Sequence, residues 1–145
     1  MTTIERSALV AHSAERMFDL VNETERYPER FGWCKGADVE EHTATRSVAR
    51  LDVGLGAFKT WFKTDNTLQR PERIHMHLLA GPFKSLEGEW SFKALAPHAC
   101  KVQLTLRFEP GSLLLAPVLA MGLQALADRM VDDFIRAADQ DAPDE

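Results

Sequence analysis

The chain has 145 residues, of which 45% are apolar and 27% charged, and carries a net charge of −5 at neutral pH. That length and balance describe one globular domain able to bury about 70% of its unfolded surface. A mildly acidic chain without a run of Lys or Arg gains little from a polyanionic backbone, which excludes direct DNA binding by charge alone.

Thr3–Val10 alternates loosely and reads as a first strand. Ser13 then stands as an N-cap before Ala-Glu-Arg-Met-Phe, with Met17, Leu20 and Val21 at helical spacing. Thr24 reads as a second cap, for a short helix over 25–31 that Tyr27-Pro28 interrupts. Val39 anchors a weak strand near 37–45. Cleaner alternation follows. Ala49, Leu51 and Val53 alternate with Arg50 and Asp52; Phe58, Thr60 and Phe62 with Lys59, Trp61 and Lys63; Ile74, Met76 and Leu78 with His75 and His77. Leu86–Leu95 has an apolar face of Leu86, Gly88, Trp90 and Phe92. Cys100–Phe108 keeps period two over its whole length. Gly54 and Gly56, Arg70-Pro71, Gly81-Pro82 and Pro97-His98 supply the turns between them.

Pro110-Gly111-Ser112 ends the last strand, and Ser112 can cap a helix of about 25 residues, within which Pro117 marks either a bend or the true start. Leu119, Leu123, Leu126, Met130 and Phe134 form one stripe. Leu113, Leu114, Leu115, Val118, Met121 and Ala125 lie on other faces, so the first half of this helix is apolar nearly all round. It is covered by the two early helices, or it lines and gates a pocket. The run from Gly111 to Ala127 holds Pro117, Gly122 and Gln124 and falls short of the ~20 apolar residues needed to span a bilayer. Contact with a membrane surface stays open.

The predicted fold is α+β: a seven-stranded curved antiparallel sheet wrapped on a long C-terminal helix, two short helices after the first strand, in the order βααββββββα. One domain fills 1–138, followed by a disordered acidic tail at 139–145. Cys34 and Cys100 form no CxxC pair and no secretory signal precedes Val10, which predicts free thiols in a reducing cytoplasm.

No catalytic frame emerges. His75 and His77 share the polar face of one strand without a third ligand, and Glu87 and Glu89 share another solvated face. No Ser or Cys sits in a nucleophile elbow, and Gly54-Leu55-Gly56 lacks the rest of a phosphate loop. No cofactor or metal is expected, and a binding module is favoured over an aromatase- or cyclase-like enzyme. Phe83, Leu86 and Trp90 are either core residues or pocket walls. On the second reading Pro82 and Phe83 cap a pocket mouth, Trp90 lines its floor, and Lys84 meets a quinone oxygen or a lipid headgroup. The stripe of Leu119, Leu123, Leu126 and Met130 forms the opposite wall.

The run Gly-Pro-Phe-Lys-Ser-Leu-Glu-Gly-Glu-Trp-Ser-Phe at 81–92 resembles the signature of the RatA / coenzyme Q-binding protein family, within the START-like superfamily. Tyr27-Pro28 with Phe31-Gly32-Trp33-Cys34-Lys35, and Arg6–Val10 with Ser13-Ala14-Glu15, are similar to the same family, so the likeness spans about residues 4 to 138. Gly32 departs from it, since the family often has proline there. The resemblance implies a helix-grip fold with an internal cavity, and it places Phe31, Trp33 and Cys34 at a second rim. It implies two functions. One is binding of an isoprenoid quinone or similar lipid in support of respiration, in the cytoplasm or peripheral to the inner membrane. The other is that of a toxin which binds the large ribosomal subunit and blocks subunit association, with a small ubiquitin-like antitoxin protein as genetic neighbour. For ribosome binding, Arg46, Arg50, Lys59, Lys63, Lys101 and Arg107 on wet strand faces are the candidate basic stripe.

Overall fold

The computed structural model describes residues 2–140. Seven strands and three α-helices follow in the predicted order: β1 (Thr2–Val10), α1 (Ala14–Asn22), a 3-10 turn (Thr24–Arg26), α2 (Tyr27–Arg30), β2 (Cys34–His42), β3 (Arg46–Leu55), β4 (Phe58–Gln69), β5 (Arg73–Ala80), β6 (Phe83–Ala96), β7 (Ala99–Pro110) and α3 (Ala116–Gln140). All seven strands form one antiparallel sheet in the order β1-β7-β6-β5-β4-β3-β2. The sheet is therefore a meander of hairpins with the first strand brought back beside the last.

Local chemistry fixes the element ends. Ser13 Oγ accepts from the Arg16 amide at 3.1 Å, which caps α1. Thr24 makes no such bond, and the second helical stretch splits into the 3-10 turn and α2, whose early proline fits a first turn that needs no amide donor. Ser112 Oγ accepts from Leu114 N, so it caps a turn and not the helix. α3 starts four residues later, with Pro117 in its first turn, and runs through Gln140, two residues beyond the expected domain end. The rest of the expected acidic tail, 141–145, lies outside the described residues.

β2 begins earlier than its alternation suggests, because bulges between Cys34 and Gly36 and between Val39 and Glu41 break the period. The β5–β6 turn uses Gly81 at φ +152°, where an added Cβ would lie 3.1 Å from the Trp61 carbonyl oxygen.

The core lies between the inner face of the sheet and α3. Phe134 is its hub, with ring-edge contacts to Tyr27, Phe31, Trp33 and Trp90 at centroid distances of 4.9 to 6.2 Å. Leu119, Leu123, Leu126, Met130 and Phe134 are buried as the stripe predicts. α1 meets α3 at its far end, where Arg16 donates to the Ala138 carbonyl at 2.9 Å and His12 contacts Asp139 at 2.6 Å. The early helices thus leave the first half of α3 and the turn before it uncovered: Val118 and Met121 of the helix and Leu113 and Leu114 of the turn are exposed, Leu113 by 94%.

Candidate functional site

An apolar cavity of about 70 Å³ remains between sheet and helix. Its helical wall is Leu123, Leu126 and Met130; Leu86, Gly88 and Trp90 of β6 and Leu104 and Leu106 of β7 face them across the gap. Ile74, Met76, Phe62, Ala49 and Leu51 complete the sheet side, and Val21, Asn22, Thr24 and Tyr27 close the end beneath the short helices. The alternation of β6 sets this geometry, because the period that buries Leu86 and Trp90 sends Glu87 and Glu89 to solvent.

Gly88 keeps its stretch of wall thin. A Cβ there would come within 2.5 Å of the Met76 methyl and 2.9 Å of a Leu106 methyl. The volume holds a few water molecules at about 30 Å³ each. A substituted quinone ring with even one prenyl unit exceeds it, so a ligand of that size must push a wall outward.

One part of the wall is polar. Ser47, Thr64 and Asn66 are all buried and line the cavity. Thr64 Oγ1 donates to Asn66 Oδ1 at 2.8 Å, and Asn66 Nδ2 donates to Ser47 Oγ at 3.1 Å. Ser47 and Asn66 are directly paired across β3 and β4. Further along the same face of β4, the Thr60 hydroxyl is buried without a partner among the described residues. No periodicity or motif in the sequence marks this row.

Tyr27 is the one titratable group on the cavity wall. Burial raises its pKa well above the ordinary phenol range, and its hydroxyl donates to the Val21 carbonyl, so it faces the cavity neutral and already bonded. Cys34, pushed up to about 11 by burial, donates to the Gly36 carbonyl at 3.4 Å. Burial also raises Cys100; both thiols are free and buried.

Of the residues singled out from sequence, Leu86, Trp90, Leu123, Leu126 and Met130 meet at the cavity. The others lie elsewhere. Phe31 stacks on Trp33 at 5.1 Å within the aromatic core, and Trp33 Nε1 donates to Asp133 at 3.1 Å. Both are anchored on the second half of α3 and form no rim. Gly32 between them is exposed, with open space where a Cβ would stand, so a side chain fits there. Phe83 packs edge-on against Phe108, Pro82 is exposed, and Leu119 is buried outside the lining. Lys84 stands on the wet side, 77% exposed, with its ammonium 3.9 Å from Glu109.

The outer sheet face is electrically compensated. Arg46 binds Asp65 at 2.9 Å and Glu41 at 3.1 Å, Lys63 reaches Glu40 at 2.7 Å, and Arg50 meets Asp52 at 3.0 Å while its guanidinium lies 4.2 Å over the Trp61 ring. Half of the candidate basic stripe is therefore paired. His75 lies on this face in an open, polar hollow with Glu5, Glu87, Glu89 and Arg107. Among the described residues no group of three or more His, Cys, Asp or Glu could hold a metal ion, and no helix is long and apolar enough to cross a membrane.

Comparisons with known proteins agree with this architecture. The family described as "Polyketide cyclase / dehydrase and lipid transport" matches residues 10–135. The chain is 40% identical over 139 residues to the "Ribosome association toxin RatA" of Pseudomonas aeruginosa, covering 96% of each. It is 27% identical over 135 residues to the mitochondrial "Coenzyme Q-binding protein COQ10" of Drosophila melanogaster, covering 90% of this chain and 56% of that one. In structure it resembles the Zhui aromatase/cyclase from Streptomyces sp. R1128 with a TM-score of 0.87 at 17% identity, covering 99% and 96% of the two chains, a likeness of fold. The chain belongs to the polyketide cyclase/dehydrase and lipid transport family and, within it, to the RatA / coenzyme Q-binding group.

Proposed function

We propose that this protein binds a hydrophobic ligand between its sheet and α3 without turning it over, and that the ligand is a polyprenyl quinone or a lipid of similar shape. The observation that carries this reading is the apolar cavity whose walls, among the described residues, present no carboxylate, imidazole, thiol or amine. The hydroxyls there are not activated: Tyr27 is neutral and bonded to the Val21 carbonyl, and no lining residue is a base beside Ser47 or Thr64. Leu86, Trp90, Leu123, Leu126 and Met130 are the proposed ligand contacts, with Trp90 offering its ring to a flat headgroup.

Each buried methylene contributes about 0.8 kcal/mol, so the tail dominates affinity. Entry requires the cavity to grow. The first half of α3 is the wall best placed to yield, because its Val118 and Met121, and Leu113 and Leu114 in the turn before it, lose no burial when it moves.

Native mass spectrometry of protein purified from a respiring host, followed by organic extraction, tests the proposal. A near-stoichiometric quinone or lipid is expected, as is added-quinone affinity that rises with tail length. Protein that emerges empty and shows no tail-dependent binding overturns it.

A second reading rests on the 40% identity to a protein named for ribosome association. It assigns the chain a docking role on the large ribosomal subunit. Sedimentation of the purified protein with dissociated subunits at low salt separates them. Migration with the large subunit supports docking; protein left at the top of the gradient removes it.

A further inference from the structure

The geometry points to the Ser47–Asn66–Thr64 row as the recognition point for a neutral amphiphile that carries a carbonyl oxygen. This rests on the hydrophobic-ligand reading above and names the chemistry of the ligand's head. Two hydroxyls and one amide supply four polar hydrogens, one from each hydroxyl and two from the amide. The two bonds inside the row consume two of them. Two donors are left, with no further partner among the described residues.

Turning the Asn66 amide over does not change that count. Its oxygen then accepts from Ser47 and its nitrogen donates to Thr64, and again one hydroxyl hydrogen and one amide hydrogen are left. All three side chains are at least nine-tenths buried and all three line the cavity. Donors held in an apolar wall away from bulk water carry a desolvation cost unless something inside the cavity accepts from them.

The acceptor's chemistry follows from the remaining walls. A carboxylate or phosphate placed here would be a buried anion, and the lining offers no Lys, Arg or His to pair with it. A carbonyl oxygen is neutral and has two lone pairs for the two donors. It brings no hydrogen of its own into a row already rich in them. Ile74, Trp90 and Leu104 stand elsewhere around the same cavity for the carbon skeleton.

The test compares 2-undecanone with undecane by equilibrium dialysis, each affinity divided by that compound's own water-to-hexadecane partition coefficient so that hydrophobicity cancels. Wild-type protein is expected to prefer the ketone by about tenfold, as two modest hydrogen bonds allow. Asn66→Leu is expected to reduce that preference below about threefold while undecane still binds, because the amide supplies a donor in either orientation. The double variant S47A/T64V keeps both amide hydrogens and is expected to keep the preference. Infrared spectra of carbonyl-labelled 2-undecanone bound to wild type provide a measurement that needs no variant: a stretch at lower frequency than in hexadecane supports the proposal.

Equal normalised affinities in wild type, with undecane bound, overturn this inference and leave the hydrophobic-ligand reading intact. So does a preference that N66L leaves unchanged, or, where N66L fails to fold, a carbonyl stretch equal to that in hexadecane. Binding of neither compound overturns both.

Discussion

Buried side chains that can ionise make this fold sensitive to alkali. Burial pushes the Cys34 thiol from its ordinary value near 9 up to about 11, and Tyr27 rises in the same direction. The folded chain therefore keeps protons that the unfolded chain releases once the pH passes the unfolded value. With more protons bound in the folded state, stability falls as pH rises. Below about pH 9 both states hold the Cys34 proton and its contribution is constant; between about 9 and 11 it is lost. Urea titrations at half-unit steps from pH 8 to 11 are expected to show a declining midpoint. Cys34→Ala is expected to lessen the slope, and Tyr27 to account for what persists above pH 10. A midpoint that stays level across this range contradicts the burial of both groups.

Residue-scale features were unevenly legible in the sequence. Leu86 and Trp90 stand out because a strict period of two on β6 assigns them one face. Ser47, Thr64 and Asn66 do not, because β4 is polar on both faces from Lys63 to Thr67 and places Trp61 on its outer side. Pattern alone cannot orient such a strand; its partners and the helix beneath it do. The surroundings of Phe31 and Trp33 escape local pattern for a related reason. Their neighbours on α3, Asp133 and Phe134, are about a hundred residues away in the chain, and no local period reveals that contact.

At the scale of elements, α3 divides into two halves of different character. Its second half is held by the aromatic hub, by Trp33 on Asp133 and by α1 across Ala138. In its first half, Gly122 lies directly beneath Phe58 of the β3–β4 hairpin, where an added Cβ would fall 2.3 Å from the ring. Outward from that contact the helix presents bare apolar side chains. The apolar composition was readable from sequence, but what covers it depends on where α1 lands. Substitutions separate the two roles on one short stretch. Leu123→Ala empties a buried site on the cavity wall and is expected to cost about 2–5 kcal/mol. Met121→Gln and Val118→Gln touch exposed positions and are expected to stay within about 0.5 kcal/mol of wild type. Equilibrium urea denaturation measures all three. A large loss from either exposed variant means that this surface is covered in solution.

For the whole molecule, charge and apolar surface are segregated, and that bears on the second functional reading. The net charge is −5, and Arg46, Arg50 and Lys63 on the outer sheet are each committed to a carboxylate. A surface paired in this way releases few counterions from RNA when it docks. Proteins that neutralise six to ten phosphates lose about 10³–10⁵ in affinity between 50 and 200 mM salt. On the docking reading, association with the large ribosomal subunit is expected to lose less than the ~10³ of such proteins over the same interval, because Arg46, Arg50 and Lys63 already hold carboxylates. The exposed end formed by Leu113, Leu114, Val118 and Met121 is then the surface whose alteration matters. The triple variant L113E/V118E/M121E is expected to weaken subunit binding at every salt concentration while leaving the thermal midpoint near that of wild type. Sedimentation of wild type and variant at 50, 100 and 200 mM salt measures both effects. A steep salt dependence with an unaffected triple variant would relocate the contact to the strand faces, with Lys59, Lys101 and Arg107 as its first candidates.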